Sequence, residues 1–447
     1  MAEDQKKKII NDYEREPVPE NERKGWLRLM TVWLGISIAL SATVLGGTLG
    51  SGLSFPQAMA ATFIGTFILA AGSALCSVIG SKTGLSTSLI ARFALGKYGS
   101  YLVSVIIAIS LFGWFGVQLN LFGTSFQNVI QNIFGITLNA QLLVVVGGIL
   151  MTTTAMIGYK AIEKLSIAAV PLMCLLLFAS LWRVMQERDL AEVVQAPLIA
   201  EPLQLGVAIS MVVGSLAVGA VIAPDISRYA KSSKHAVFGA FTGLFVGYSL
   251  VLVIAAILAK ATQETDIVSI MLGLGWGTSA MLILILAQWT TNDSNLYSSA
   301  LGFAVIFKRV PKFVLTIIAG AIGTILSILG IYEHFTSFLN FLSVLIPPIG
   351  GIYGADYLLN RSKYHFKNLD KMKNLMFIGM TSWVLSSTIA FMTTPAPVGF
   401  GLFEITKAPG LDAFLLAFVF QCLFIFMHRR FQRQTDLPEY TPKENEA

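Results

Sequence analysis

Long apolar stretches without a single Asp, Glu, Lys or Arg alternate with short charged segments along this chain. Such stretches include residues 29–81, 98–159, 165–182, 202–224, 236–259, 267–292 and 313–332. A membrane-spanning helix needs about 20 apolar residues, so the longer stretches hold two helices, or one helix and a loop. Proline, glycine and charged positions predict twelve helices, at 29–52, 56–80, 98–125, 140–159, 162–184, 204–223, 236–260, 274–300, 312–331, 335–358, 373–393 and 410–428. The pattern therefore predicts an all-α, polytopic membrane protein.

The composition and the loop charges support this prediction. Of the 447 residues, 55% are hydrophobic and 13% are charged, with a mean hydropathy of +0.71, which is far outside the range of soluble globular proteins. Lys and Arg concentrate in alternate loops, as the positive-inside rule requires, so the tails 1–28 and 429–447 are both expected in the cytoplasm. The net charge of +6 then reflects the topology of a plasma-membrane protein, and we expect no nucleic-acid partner.

Signatures of enzymes and metal centres are missing from the sequence. It contains no HExxH, Walker or GxSxG motif, and its four histidines lie at predicted membrane edges or in loops. Cys76, Cys174 and Cys422 are isolated in apolar runs, which does not indicate a disulfide framework or a metal cluster. We therefore predict a protein that is not an enzyme, has no cofactor other than a coupling ion, and needs no obligate protein partner.

Neutral polar residues and glycines interrupt the predicted first and sixth helices. Gly35 lies well inside the first helix, where either a local break that exposes backbone carbonyls or close helix packing is expected, and the later glycines of that helix are expected to allow close packing. In the sixth helix, Gly214 and Ser215 interrupt a segment that is predicted to end at Pro224. Broken helices at corresponding positions of two halves point to a transporter site between inverted repeats.

Two further interruptions lie in the predicted third and eighth helices. Trp114 and Gln118 are four residues apart, so they lie on one helix face near the middle of the bilayer. An aromatic ring and a carboxamide suit the face and the edge of a planar heterocycle. At helical spacing the eighth helix carries a polar stripe, which consists of Gln288, Thr291, Asn292, Asn295 and Ser299. Because contact with lipid would be costly, this stripe is expected to face a cavity or another polar helix.

Four motifs carry a family resemblance: GGTLGSGLSF at 46–55, PDISRYAK at 224–231, WTTNDSNLYSSALGFA at 289–304 and FLSVLIPPIGGIYGADYLLNR at 341–361. With them the chain resembles the nucleobase-cation symport family, and most of all its cytosine and purine permeases. The resemblance implies the LeuT-type fold, in which two inverted repeats of five helices precede two extra helices, here 29–184, 204–358 and 373–428. It also implies an importer that couples uptake of a nucleobase, or a similar planar nitrogen heterocycle, to a cation by alternating access.

The same resemblance implies roles for individual residues. Trp114 would stack on the substrate ring, and Ser215 with Leu216 would contact the substrate at the break in the sixth helix. The coupling cation would be bound by backbone oxygens near Gly35 and Ala39, together with three residues of the eighth helix, Ala287, Thr290 and Thr291.

The identity of the heterocycle stays open at this point. The cytosine carriers of the family have an aromatic residue in place of Leu216 and a glutamine in place of Leu111, whereas Gln118, Gln288 and Asn295 resemble the hydantoin and allantoin branch. Allantoin, hydantoin or a hydroxymethylpyrimidine precursor of thiamine is therefore the alternative to cytosine or a purine. A channel or a substrate sensor is the alternative from a different class, but the sequence shows neither charged pore rings nor a soluble output domain.

The coupling ion is predicted to be sodium and not a proton. A proton carrier normally needs a titratable side chain in the pathway, and Asp293 is the only carboxylate inside the predicted eighth helix. We expect Asp293 toward the cytoplasmic end of that helix, where an ion pair with a loop Lys or Arg would explain it. Sodium needs only oxygen ligands, which the hydroxyls of Thr290 and Thr291 and the carbonyls of a broken helix supply.

Overall fold

The computed structural model of the protein describes residues 16–157, 159–265, 267–307 and 309–435. Within these residues the regular structure is helical throughout, and the one extended pairing is an isolated bridge between Lys24 and Ala230. Both predicted tails extend beyond the described part, since residues 1–15 and 436–447 lie outside it.

The longer helices of the described chain form twelve units, which we number α1 to α12; two short helices, Leu190–Gln195 and Ile267–Gly273, lie between units. Eight units are single helices: α2 (Phe55–Thr83), α3 (Thr87–Phe134), α4 (Ala140–Ile157), α5 (Tyr159–Glu187), α8 (Gly277–Ile306), α9 (Lys312–Ile328), α11 (Phe377–Thr393) and α12 (Pro409–Thr435). Four are composite: α1 (Trp26–Ser37 and Leu40–Gly52), α6 (Leu205–Ser215, Ala217–Val221 and Ala223–Ser227), α7 (Ser233–Phe241, a π-helical segment Thr242–Tyr248, and Ser249–Thr262) and α10 (Phe335–Leu345 and Pro347–Leu359). The predicted number of helices is confirmed.

Two of the differences from the predicted bounds have identifiable reasons. The predicted third helix begins at residue 98, but α3 begins at Thr87, because the charged segment before residue 98 is helical and bends at Gly96 (φ 81°). The predicted tenth helix is continuous, but α10 is broken at Ile346. Pro347 and Pro348 follow this break, and neither can donate the backbone hydrogen bond that would continue the first half.

Most units of the described chain can cross a membrane by their length and apolar composition. Six contain a sufficiently long apolar helix, namely α2, α3, α5, α7, α10 and α12, and the two halves of α1, bent by 63°, qualify together. Shorter apolar helices lie in α4, α6, α9 and α11. The remaining unit, α8, is 30 residues long but carries the polar stripe. The protein is therefore a multi-pass membrane protein.

The polar α8 is surrounded by other helices of the bundle. It packs along α3 and also contacts α4, α5 and α9. The second half of α1 packs on α7, where an added Cβ at Gly46 or Gly50 would lie 2.6 Å from a backbone carbonyl oxygen of α7. The expected packing role of these later glycines is confirmed, and α1, α3 and α8 are brought together around the bundle interior.

Candidate functional site

The first helix is broken at Ile38 and Ala39. Ser37 ends the first half, Ile38 (φ −91°, ψ 73°) donates its N–H to the Leu34 carbonyl at 2.9 Å, and Ala39 is extended (φ −120°, ψ 155°). By helix geometry the last carbonyls of this half lack intrahelical donors, so the break presents backbone oxygens. The expected break is present but lies at Ile38 and Ala39, three residues after Gly35, which is itself helical. The alternative of close packing at Gly35 is wrong, because an added Cβ there would meet no atom within 4 Å.

The sixth helix is broken twice. Leu216 (φ −122°, ψ 18°) separates the first two segments, and Ile222 separates the second from the third. Pro224 opens the third segment and does not end the helix, which corrects the prediction. At the first break the Ser215 hydroxyl lies 2.7 Å from the Tyr248 hydroxyl of α7 and donates to the Val212 carbonyl at 2.6 Å. The break at Ser215 and Leu216 is thus fixed by a neighbouring helix.

The indole ring of Trp114 lies in an aromatic enclosure. It is 9% exposed, and two phenylalanines of α10 stand almost perpendicular to it: Phe335 at 6.2 Å and 77°, and Phe338 at 5.4 Å and 74°, between ring centroids. Edge-to-face pairs of this kind are favourable contacts between aromatic rings. They hold the indole plane in a defined orientation between α3 and α10.

Three carboxamides are buried on α3 and α8: Gln118 lies against α1, Gln288 against α3, and Asn292 against α3 and α4, where its Nδ2 is 3.4 Å from the Met151 sulfur. The Nε2 of Gln118 is 3.5 Å from the Ser41 hydroxyl, the Nε2 of Gln288 is 3.3 Å from the Ser125 hydroxyl, and the Nδ2 of Asn292 donates to the Phe115 carbonyl at 3.2 Å. All three side chains are fully buried, and none of their amide oxygens has a hydrogen-bond partner among the described residues. Such oxygens are costly in an apolar interior unless a ligand or water pairs with them.

Three residues predicted for the cation site lie on one turn of α8. The Ala287 carbonyl accepts hydrogen bonds from the hydroxyls of Thr290, at 3.0 Å, and Thr291, at 2.9 Å. The hydrogen bonds of the described residues connect these three groups to one another and do not connect them to Gly35 or Ala39. The second half of α1, which starts directly after Ala39, does contact α8.

Asp293 lies near the middle of α8, so its expected place toward the cytoplasmic end is wrong. Its side chain is fully buried, and its Oδ1 accepts a hydrogen bond from the Thr154 hydroxyl of α4 at 2.8 Å. The indole N–H of Trp289 donates to the same hydroxyl at 3.0 Å. The expected ion pair is also absent among the described residues, and Asp293 instead joins α8 to α4.

Comparison with known proteins identifies the family. Residues 17–400 match the family model described as permease for cytosine/purines, uracil, thiamine and allantoin. The chain belongs to this family. The cytosine permease of Escherichia coli strain K12 is 36% identical over 375 residues, which cover 84% of this chain and 88% of that protein. The allantoin permease of Bacillus subtilis is 22% identical over 459 residues, which cover 91% of each chain.

Solved structures show the same fold. Mhp1, described as a nucleobase-cation-symport-1 family transporter, matches in a closed conformation with bromovinylhydantoin bound (TM-score 0.74, 19% identity, 96% of this chain and 97% of that chain). It also matches in its inward-facing conformation (TM-score 0.80, 20% identity, 94% and 93%). The expected family and fold class are confirmed. The permease is a membrane transporter of a small molecule and not an enzyme.

Several residues around the site were missed by sequence reasoning. Asn292 belonged to the predicted polar stripe but was not assigned to the substrate site, although its amide is buried beside α3. Ser41 and Tyr248 complete the contacts of Gln118 and Ser215. The two phenylalanines beside Trp114 are three residues apart on α10, a spacing that places them on one helix face without indicating which helix they meet. Asn295, which was predicted for the substrate site, is half-buried on α8.

Proposed function

We propose that this permease is a cation-coupled importer of a nucleobase or a similar planar nitrogen heterocycle, with the substrate between α1, α3, α6 and α8. The observation that carries the proposal is the set of three buried carboxamides, Gln118, Gln288 and Asn292, whose oxygens lack partners. Ring N–H groups of a heterocycle would pair with these oxygens, and amide N–H groups would pair with ring carbonyl oxygens. A buried cluster of neutral donors and acceptors suits a neutral polar ring better than an ion.

The aromatic and broken-helix residues complete the proposed substrate site. Trp114 supplies a flat apolar surface of fixed orientation for the ring face, and it lies on α3 four residues before Gln118. Ser215 and Leu216 stand at the break of α6, where backbone groups are free to face a ligand. Asn295 continues the amide stripe of α8 and is assigned to the ring edge.

The substrate proposal follows the relatives. A permease that is 36% identical carries the name cytosine permease, and this favours cytosine or a purine. The second candidate is allantoin or hydantoin, because Gln118 occupies the position that resembles the hydantoin branch, and because an allantoin permease is also related over most of the chain. A larger number of amide contacts to the ring would favour the second candidate, since both of those rings carry several N–H and C=O groups.

The coupling ion is proposed to be sodium. Thr290, Thr291 and the Ala287 carbonyl present oxygen atoms on one turn of α8, and the α1 break beside Ala39 presents carbonyls that helix geometry leaves unpaired. Gly35 supplies one of those carbonyls from the last turn before the break. Neutral oxygens of this kind suit Na⁺, which needs no titratable ligand. A structural neighbour with a TM-score of 0.56 is described as a Na⁺-coupled sialic acid symporter.

The proposed topology places both termini in the cytoplasm of a plasma-membrane protein. Lys82 at the end of α2, Arg92 and Lys97 near the start of α3, and the positive charges of the α6–α7 and α10–α11 connections then face inward. We also propose that residues 29–184 and 204–358 are the two inverted repeats, because the broken α1 and α6 occupy the first position of each. Residues 373–428 then form the two additional helices.

Uptake into proteoliposomes tests the proposed function. Labelled cytosine, adenine, hypoxanthine, uracil, allantoin and hydantoin are offered with an imposed inward gradient of either sodium or protons. We expect saturable uptake of at least one heterocycle that requires the sodium gradient and collapses when it is dissipated. Uptake that follows only the proton gradient would overturn the sodium assignment, and an absence of uptake and binding for the entire panel would overturn the substrate class.

A further inference from the structure

A cavity of about 250 Å³ with both charged and apolar lining residues opens near the start of α3, where this helix meets the connection between α10 and α11. It is lined on α3 by Arg92, Lys97 and Tyr101, and on the connection by Phe366 and Asp370. Lys97 and Trp114 are 17 positions apart, which is about 25 Å along a helix. The cavity is therefore separate from the proposed substrate site.

The bend at Gly96 builds this cavity. Gly96 has φ 81°, a left-handed conformation that glycine adopts without a steric penalty. The bend frees the next two N–H groups, so that Lys97 donates to the Lys373 carbonyl at 3.3 Å and Tyr98 to the Asn374 carbonyl at 2.9 Å. The α10–α11 connection is thereby fastened to α3, and the cavity walls are held by backbone hydrogen bonds.

The cavity offers cationic donors that its own acidic residue does not neutralise. Arg92 Nη2 lies 3.8 Å from Asp370 Oδ1, and the Asp370 side chain is 99% exposed, so this ion pair is weak. The Arg92 Nε is buried and has no hydrogen-bond partner among the described residues. With Lys97 beside it, the cavity suits an anion that accepts several hydrogen bonds, as a phosphate does.

The surroundings of the cavity favour a lipid over a free anion. Lys97 is the last charged residue before the charge-free stretch 98–159, which places the cavity at the depth of the headgroups. Beyond it Tyr98, Leu102 and Ile109 are 57%, 37% and 54% exposed, and form an apolar surface along α3 that faces lipid. Basic pockets between membrane helices bind anionic headgroups, and exposed aromatic residues favour the membrane interface.

We propose that this cavity binds the phosphate of an anionic phospholipid, with its acyl chains along Tyr98, Leu102 and Ile109. Arg92 and Lys97 contact the phosphate, and Asp370 turns to solvent. Because α3 also carries Trp114 and Gln118, a lipid bound here stabilises the end of the helix that supplies the proposed substrate site.

Lipid retention of the purified full chain tests the proposal. Native mass spectrometry measures binding of phosphatidylglycerol, phosphatidylcholine and water-soluble glycerol 3-phosphate to the wild type and to Arg92→Gln/Lys97→Gln. We expect preferential phosphatidylglycerol binding by the wild type, and about 30-fold weaker binding by the double variant, which is about 1 kcal/mol for each cationic side chain. Arg92→Lys/Lys97→Arg keeps both charges and should retain most of the binding.

The matched control is Lys231→Gln/Lys234→Gln, which removes two exposed lysines, one in the α6–α7 connection and one in the first turn of α7. It lowers the net charge equally and should leave lipid binding unchanged. An equal loss in the control, equal binding of phosphatidylcholine, or saturation by glycerol 3-phosphate would overturn the proposal, the last by showing a site for small anions. If the double variant does not fold, Lys97→Gln alone should weaken phosphatidylglycerol binding about fivefold, and unchanged binding would likewise contradict the site.

Discussion

Replacement of Gln118 by leucine tests whether its side-chain amide binds the substrate or only stabilises the fold. Gln118 is fully buried in α3, its Nε2 is 3.5 Å from the Ser41 hydroxyl, and its Oε1 has no partner among the described residues. The distance between Gln118 Nε2 and the Ser41 hydroxyl is at the upper limit for a hydrogen bond. Gln118→Leu therefore removes a polar group of which the substrate-free protein makes little use, and fills the space with a side chain of similar volume.

The expected changes in stability and in affinity have opposite signs. A buried polar atom without a partner costs about 1 to 3 kcal/mol, so Gln118→Leu should leave the free energy of unfolding unchanged or raise it by up to about 3 kcal/mol. A substrate that pairs with the amide loses those hydrogen bonds in the variant. Its affinity should fall by about 1 to 3 kcal/mol, or about 5- to 150-fold.

Gln421→Leu is the matched control, because Gln421 is equally buried but its Oε1 accepts a hydrogen bond from Ser382 at 3.0 Å, between α11 and α12. It should lower the free energy of unfolding by about 1 kcal/mol and leave substrate affinity unchanged. Tryptophan fluorescence during unfolding measures stability, and equilibrium binding of labelled heterocycles measures affinity. If Gln118→Leu lost stability as Gln421→Leu does and kept its affinity for every heterocycle, the binding role of Gln118 would be refuted.

Three further pairs of substitutions test the remaining parts of the structure. Trp114→Ala should lose about 1 to 3 kcal/mol of substrate binding, by analogy with bases that stack on aromatic rings, whereas Trp114→Phe should keep part of it; equal affinity of Trp114→Ala and the wild type would argue against stacking. Thr291→Ala should abolish the stimulation of binding by sodium and Asp293→Asn should preserve it, as measured by titration with sodium at constant ionic strength; the opposite pattern would make Asp293 the coupling residue. Gly214→Ala should destabilise the fold by more than about 1 kcal/mol, because an added Cβ overlaps a backbone carbonyl oxygen of α10, while Gly219→Ala, whose nearest neighbour would be 3.9 Å away, should be tolerated; similar unfolding temperatures for these two variants would contradict the packing.

Polarity inside the membrane explains how much of the site could be predicted from sequence. The stripe of α8 and the pair of Trp114 and Gln118 are recognisable because polar side chains at helical spacing are costly in hydrocarbon and need partners. The breaks in α1 and α6 could also be predicted, because small and polar residues cluster near both of them. The structure confirms the interruptions of α1 and α6 and the burial of the amides.

The details that were wrong depend on tertiary contacts. Gly35 is compatible with a break, with close packing and with a plain helix, and the structure has the break three residues later, at Ile38. Asp293 was expected beside a loop because a lone carboxylate in a membrane helix needs a partner, but its partner is the uncharged Thr154 on α4. The phenylalanines beside Trp114 come from α10, more than 200 positions away, and nothing local in the sequence predicts that contact.

The hydrogen bonds of α8 indicate which helices form the fixed wall of the site. Gln288 and Asn292 bind groups of α3, and Trp289 and Asp293 bind Thr154 of α4, so polar contacts hold α8 on two sides. By contrast, α1 and α6 are interrupted at the level of the site, where backbone hydrogen bonds that would resist bending are missing. A cation between the α1 break and α8 would therefore contact interrupted backbone on one side and, on the other, a helix held to α3 and α4 by side-chain hydrogen bonds.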